Sequence, residues 1–312
     1  MSHSCTDPNC SNSDPAGIPG TSSIGVVVVI YNKNCLESVS FSEIIANGAA
    51  RVILIDNSTD PDMQSGNSEE CLRLGCEYYS MGGNKGLAAA YNAAISRIGS
   101  RIDYLMLLDD DTTIPQDMIS GLQRAIAMHP SASVFVPYVL DQAALLSPSR
   151  RWSSLFFRLK KRPEAFTRRM SAINSGLVIR LDPENRAKPL FDDKMFLDCI
   201  DHDFILRRIR QGDSIELYPA EFRQNFFDGT SRGPSAGRKG QASQDRAVQK
   251  QAALIRFRIF AGDYLYFCRD CSLNMMIAHM YLIYRMTRLN IRFRTTVFGS
   301  VLKSSKIIHG KA

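Results

Sequence analysis

No stretch of this chain is apolar for long enough to cross a bilayer. The longest apolar run near the C-terminus, Met275 to Tyr284, is interrupted by His279 and is far short of a membrane span. The N-terminal residues 1–23, rich in Ser, Pro, Asn and Gly, hold no apolar segment and read as a disordered tail without a secretion signal. The expectation is a cytosolic protein, with peripheral attachment to a membrane left open. Cysteines are few and scattered, which disfavours a disulfide framework in that compartment. Cys268 and Cys271 have the spacing of a zinc knuckle, but no second pair accompanies them, so a structural zinc is not expected. Acidic residues are scarce in two segments. From Ser149 to Met170 eight Lys/Arg face only Glu164, and from Gln251 to Ala312 ten face only Asp263 and Asp270. No helix-turn-helix, zinc-finger or RNA-binding pattern goes with this charge, so nucleic acid is not an expected partner. A pyrophosphate-bearing substrate or an anionic membrane surface suits the two basic patches better.

What is present is an alternation of buried strands and helices. Ile24 to Ile30 (IGVVVVI) and Arg51 to Ile55 (RVILI) are continuous apolar runs, as expected of strands covered on both faces. Helices are expected over Leu36–Ala46, Glu69–Leu74, Leu87–Ile98 and from Pro115 to about Met128. Further strands are expected over Glu77–Ser80, Tyr104–Leu108 and Ser133–Val139. The pattern predicts an α/β fold with a mostly parallel, Rossmann-like central sheet and helices on both faces, followed by a basic C-terminal helical extension. Ligands of such sheets sit outside the carboxyl ends of the strands. Those ends are where the polar residues gather: Tyr31-Asn32, Asp56-Asn57-Ser58, Gly82-Gly83-Asn84-Lys85-Gly86, and Asp109-Asp110-Asp111.

Asp109 and Asp111, two residues apart beyond a buried strand, can converge on one hard cation, Mn²⁺ or Mg²⁺. Asp111 or Thr112 would equally serve as a helix N-cap before Pro115. Asp56 suits a ribose hydroxyl or a base N–H, or else an Asx turn. Gly82 to Leu87 combines close backbone approach, a lysine and a helix start, but it lacks the spacing of a P-loop. Asn92, further along that helix, would face the site or cap a polar face. Asp198, Asp201 and Asp203 open a helix expected to run to about Arg210, with Asp198 and Asp201 on one face. Trp152, Leu155, Phe156 and Leu159 fall at i, i+3, i+4 and i+7 amid arginines and lysines. That spacing predicts an amphipathic helix able to lie in a membrane interface.

Taken in order and spacing, Tyr31-Asn32, Asp56-Asn57-Ser58, Asn84-Lys85-Gly86-Leu87-Ala88 with Asn92, and Leu108-Asp109-Asp110-Asp111 resemble family 2 glycosyltransferases, especially bacterial rhamnosyltransferase-like enzymes of polysaccharide synthesis. The resemblance continues through Asn174-Ser175-Gly176, through Phe196-Leu197-Asp198-Cys199-Ile200-Asp201-His202-Asp203-Phe204 with Arg207, and more loosely through Asp263-Tyr264 to Arg269-Asp270. It implies a GT-A fold over residues 24–250, with a nucleotide-sugar half at 24–140, an acceptor half at 171–228 and a mobile loop at 229–244. The extension would occupy 251–312. The donor would be a UDP- or dTDP-sugar and the acceptor a saccharide or a lipid-linked saccharide. Tyr31, Asp56, Asn84, Lys85, Asp109 and Asp110 would bind the nucleotide sugar, and Asp109 and Asp111 the metal. Ser175, Gly176 and Asp203 would meet the acceptor, and Asp201, with Asp198 as alternate, would be the catalytic base of an inverting transfer. A His that many members use as a further metal ligand has no counterpart in Tyr218 to Gly229, where Asn225 or Asp228 would have to substitute. In the loop, Arg232, Arg238 and Lys239 would close over the diphosphate. A non-catalytic nucleotide-sugar-binding subunit is the alternative. A nucleotidyltransferase is disfavoured, because the first strand ends in Tyr31-Asn32 rather than a Gly-rich basic loop.

Overall fold

The structure is a computed structural model. It describes residues 23–48, 51–98, 102–224 and 239–303, the last stretch with side chains from 247 to 301. The expected tail and residues 225–238, including Asn225, Asp228, Arg232 and Arg238, lie outside the described residues.

The first half follows the predicted alternation. In chain order come β1 (Ile24–Ile30), α1 (Val39–Ala46), β2 (Val52–Asp56), α2 (Pro61–Leu74), β3 (Glu77–Ser80), α3 (Leu87–Arg97), β4 (Tyr104–Asp109), β5 (Thr112–Thr113), α4 (Met118–Met128) and β6 (Val134–Asp141). The helix expected over Leu36–Ala46 is broken: a 3₁₀ turn at Cys35–Glu37 ends at Ser38, whose side chain caps α1 by accepting from Phe41 N. Helix α2 starts eight residues earlier than expected, because Asp60 caps it and Pro61 fits its first turn; Gly75 closes it in the left-handed conformation.

Strands β3, β2, β1 and β4 are neighbours in that order and all parallel. Their register places Val29 opposite both Ile55 and Asp109, Ile30 opposite Asp56, and Asp56 opposite Ser80. The polar strand ends are therefore level along one edge. Alternate strand positions face opposite sides: Val27, Val29, Leu105 and Leu107 join the core under α3, whereas Val26, Val28, Met106 and Leu108 join the core under α1 and α4. Helices do cover both faces.

The second half comprises β7 (Ala144–Ser147), β8 (Ser149–Trp152), β9 (Leu155–Arg158), β10 (Met170–Ser171), β11 (Val178–Arg180), α5 (Pro183–Ala187), α6 (Ile200–Gln211) and β12 (Ile215–Gln224). The short β11 inserts antiparallel between β4 and β6, and β12 runs parallel to β6 on its other side. Pro219 sits where the β6–β12 register shifts, a place in a strand pair where a missing N–H is tolerated.

Two expectations are corrected. The segment Trp152 to Leu159 is not a helix: β8 and β9 pair as a tight hairpin, with Trp152 opposite Leu155 and Ser153 at φ +53° in the turn. Apolar residues at i, i+3 and i+4 also arise when two short strands meet across a two-residue turn. Asp198 lies outside α6, which begins at Ile200 after Cys199 at φ +64°, so Asp198 and Asp201 do not share a helical face.

Three C-terminal helices complete the described residues: α7 (Lys239–Asp270), α8 (Met275–Phe293) and α9 (Gly299–Lys303). The stretch 239–244, expected as loop, is the start of α7. Leu254, Phe257, Ala261, Tyr264, Leu265 and Cys268 of α7 enter the same core that lies under α3. No helix among the described residues is long and apolar enough to cross a membrane.

Candidate active site

A cavity of about 1240 Å³ opens at the carboxyl ends of β1 and β4, where the fold predicts a ligand. Its strand-edge wall carries Tyr31, Asn57, Asn84 and all of Asp109, Asp110 and Asp111; Asp201 and His202 enter from α6.

Asp109 is the best-held carboxylate. Its Oδ1 accepts from Tyr91 O–H at 3.2 Å, and its Oδ2 lies 2.8 Å from Ser175 Oγ and 3.4 Å from Gln224 Nε2. Burial pushes its pKa up to about 6; the Asp111 and Asp201 carboxylates act in the same direction, while Ser175 and Tyr91 oppose the shift. Gln224 Nε2 also donates to Asp111 Oδ1 at 2.9 Å, so one amide bridges the two outer carboxylates. Burial raises Asp111 as well. Asp110 is ion-paired with Lys33. The loop itself is gripped from α1: Ser38 Oγ donates to Asp110 O at 2.9 Å, and Ser40 bonds both Asp109 O and Thr112 O.

Several predicted residues shape the wall rather than face the cavity. Asp56 is fully buried; one oxygen accepts from Ser58 N at 2.8 Å and the other from Asn67 Nδ2 at 2.8 Å and Tyr78 O–H at 3.1 Å. It closes an Asx turn under the neighbouring Asn57. Lys85 uses its backbone N–H, on Asn57 Oδ1 at 3.3 Å, and its side chain is not among the cavity residues. Asn92 clamps Leu190 and Phe191 through their backbones. Ser175 and Gly176 stand behind Asp109, with Gly176 at φ +81° and its Cα against the Phe222 ring. Asp203 is fully buried, accepts from Arg207 Nε at 2.7 Å and lies 3.5 Å from Cys271 Sγ.

The neighbours of these residues reach the cavity instead. Asn174 lines it, with Oδ1 buried and unbonded by any described group. His202 lines it too, stacked on Phe156 at 3.6 Å between centroids and bonded through Nδ1 to Ser171 Oγ at 2.8 Å; burial depresses its pKa, which favours the neutral ring. Asp198 is ion-paired with Arg256 of α7, while Asp263 of α7 accepts the N–H groups of Phe196, Leu197 and Asp198 at 2.8–3.0 Å. Of the two candidate bases, Asp198 is committed to a guanidinium and Asp201 is not. Gln224 and Tyr91 carry no motif of their own, and Asp263 only opens the loosest block of the resemblance; the fold reveals what each of them holds.

The charge balance of the cavity bears on a metal. Among the described residues five carboxylates line it, Asp109, Asp110, Asp111, Asp198 and Asp201, against Arg158 and Arg256, and both arginines are engaged in ion pairs. A diphosphate entering here would meet net negative charge. Asp109 and Asp111, side by side on one amide, would offer hard oxygen ligands to a divalent cation, which would supply positive charge there. Among the described residues, the one group of three His, Cys, Asp or Glu ligand atoms within mutual reach is elsewhere, at Asp203, Asp270 and Cys271, where Asp203 already neutralises Arg207.

The comparisons agree with this architecture. Among solved structures, GalNAc-T7 crystallised with UDP, GalNAc and Mn²⁺ superposes with a TM-score of 0.58 at 11% identity, over 92% of this chain and 57% of that one. The chain thus spans less than two thirds of that protein, and the likeness is one of fold. S. aureus TarS 1–349 is a more distant match, with a TM-score of 0.42 at 14% identity over 65% of this chain and 60% of its own. No curated protein matches the sequence. The Glycosyl transferase family 2 profile matches residues 25–182, just over half of the chain and the whole of the parallel sheet's strand-edge wall. By that match, on this mixed α/β sheet, the chain belongs to glycosyl transferase family 2.

Proposed function

We propose that this protein is an inverting, metal-dependent glycosyltransferase that moves a sugar, rhamnose-like or another hexose, from a UDP- or dTDP-sugar to a hydroxyl of a saccharide or lipid-linked saccharide during assembly of a bacterial surface polysaccharide. The observation that carries it is the carboxylate-rich cavity: Asp109 and Asp111 share Gln224 on one side, and Asp201, tied to no described arginine or lysine, enters from the other. In this reading Tyr31 and Asn84 hold the nucleotide end, with Asp56 and Lys85 shaping the loops beneath it. Asp109 and Asp111 are the cation ligands, a divalent cation supplying positive charge beside the diphosphate when bound. Asp201 takes the proton from the attacking hydroxyl. His202, neutral and braced on Phe156, fixes the local acceptor surface, and Asn174 Oδ1 offers an acceptor to a sugar hydroxyl. A single displacement at the anomeric carbon inverts it, in contrast with the double displacement of retaining enzymes.

We place the enzyme in the cytoplasm at the face of a membrane. The support is α8, whose Met276, Met280, Ile283, Tyr284 and Ile291 are half or more exposed on one side, with Arg288 along one border and no acidic residue in the helix. Trp152, 57% exposed on the β8–β9 turn, lies beside the start of α8, where Asn274 N donates to Ser153 Oγ. An exposed apolar stripe on a helix of net positive charge suits the interface of an anionic bilayer.

Release of UDP or dTDP from a panel of nucleotide sugars tests the reading, with Mn²⁺, Mg²⁺ or EDTA, and with and without anionic vesicles. Release from one donor class that EDTA abolishes, and co-sedimentation with the vesicles that weakens in salt, are expected. Thermal stabilisation by a nucleotide sugar without turnover of any donor would favour the non-catalytic subunit instead.

A further inference from the structure

The cavity has a second wall that donor chemistry leaves unused. Ile255, Ile259, Phe260 and Tyr264 of α7 line it, around the Arg256 that pairs with Asp198, and Phe156 of β9 and Tyr281 of α8 complete it. This wall is fixed in place. Tyr264 O–H is turned away onto Ser154 O at 2.9 Å, and the Phe260 ring is stacked on Tyr264 at 5.4 Å and covered by the Arg285 guanidinium at 3.9 Å. Its inner end touches the catalytic carboxylate's neighbour, since Phe156 stacks on His202. Its outer end is Ile255, 50% exposed. An apolar track therefore runs from beside Asp201 to the surface.

A sugar would stack its C–H face on one of these rings, but its hydroxyls would lose water against the aliphatic Ile255 and Ile259 without gaining hydrogen bonds. The cavity also exceeds the roughly 300–1,000 Å³ typical of a single small-ligand site, which leaves room for a second molecule beside the donor. We propose that this wall binds a linear hydrocarbon chain attached to the accepting sugar, so that acceptor selection depends on the chain as well as on the saccharide. The inference rests on the glycosyltransferase reading of the cavity and adds the chemical class of its acceptor.

The experiment uses methyl, butyl, hexyl and octyl glucosides as probes, all below the concentrations at which they form micelles. Their dissociation constants for the full chain are measured by ligand-observed NMR, alongside the thermal shift produced by UDP with Mn²⁺. Affinity should rise up to about fourfold per added methylene until the track is filled. In Ile255→Ser/Ile259→Ser the dependence on chain length should flatten, while the UDP shift stays at the wild-type value and certifies the fold. Equal affinity for methyl and octyl glucoside in the wild type would overturn the proposal, and so would chain-length dependence that survives in the double variant. If chain-length dependence is present and neither UDP nor dTDP with Mn²⁺ gives a thermal shift in the wild type, the apolar site stands and the glycosyltransferase reading fails.

Discussion

The strand-edge wall of the cavity is built from carboxylates whose oxygens are tied to Tyr91, Ser175 and Gln224 and whose backbone is tied to Ser38 and Ser40. The wall made by α7, α8 and β9 is built from rings and aliphatic chains held by stacking, and it runs out to the surface at Ile255. The first fixes charge in a position that would cost free energy in an empty site. The second offers area with little directional demand. Group transfer needs rigid electrostatics at the bond that breaks, whereas discrimination among acceptors needs shape and apolar area. The difference assigns chemistry to the sheet and acceptor choice to the helices, and it can be broken experimentally.

Asp201→Asn should do so most visibly. The amide keeps the shape but cannot take a proton, and turnover should fall about 10²–10⁴-fold with donor affinity nearly unchanged. Asp198→Asn should cost far less, because Asp198 neutralises the half-exposed Arg256. Steady-state kinetics of both variants, with donor titrations, checks this. A larger loss for Asp198→Asn would exchange the two roles and move the base onto the segment that Asp263 of α7 anchors.

Much of the strand-edge wall is legible in the chain itself. Apolar runs such as IGVVVVI can only be strands buried on both faces, and the polar residues that end them must then line one edge. The helical wall is not legible, for particular reasons. Trp152, Leu155 and Phe156 carry a helical spacing, yet Ser153-Ser154, a weak turn signal without Gly or Asn, folds them into a hairpin. Gln224 ends β12 without any motif, and it reaches Asp109 and Asp111 only because β12 runs beside β6 and across to β5. Asp203 has the local pattern of a site residue, but Arg207 one turn later and Cys271, just past the end of α7, bury it. Short-range pattern reports strands and their ends. It does not report which distant element covers them.

The two walls meet at one backbone contact, and Gly86→Ala should disturb both. Gly86 has φ +87°, and a Cβ there would stand 2.7 Å from Phe196 O, the oxygen that accepts from Leu87 N. The next N–H groups, of Leu197 and Asp198, are held by Asp263. The added methyl must push this segment off α7, at about 1–3 kcal/mol. Chemical denaturation should report that loss, and kinetics should show a raised KM for acceptor as well as donor. An unchanged acceptor KM would mean that the helical wall is mechanically independent of the sheet.

The smallest expected effect runs in the opposite direction. Asp109 has a folded-state pKa of about 6 against an ordinary value of 3.8, raised first by burial, so the unfolded chain gives up this proton at lower pH than the folded one does. Below pH 4 both states hold the proton and the group is neutral in the balance. As pH rises toward 6 the folded protein progressively loses stability relative to a version with an uncharged side chain, and above about 6 the deficit is constant. Asp109→Asn, without added metal, should therefore melt at the wild-type temperature near pH 4 and above it at pH 7. The gain should be on the order of 1–2 kcal/mol, discounted from the full shift because the carboxylate keeps some contact with solvent. The same variant should be inactive. Stabilisation that grows with pH while transfer is lost would identify Asp109 as a charge kept at a cost to the fold for the sake of its ligand. Destabilisation of equal size at pH 4 and pH 7 would make it a structural hydrogen-bond acceptor for Tyr91 and Ser175, and the strand-edge wall would then lose its claim to hold the cation through Asp109.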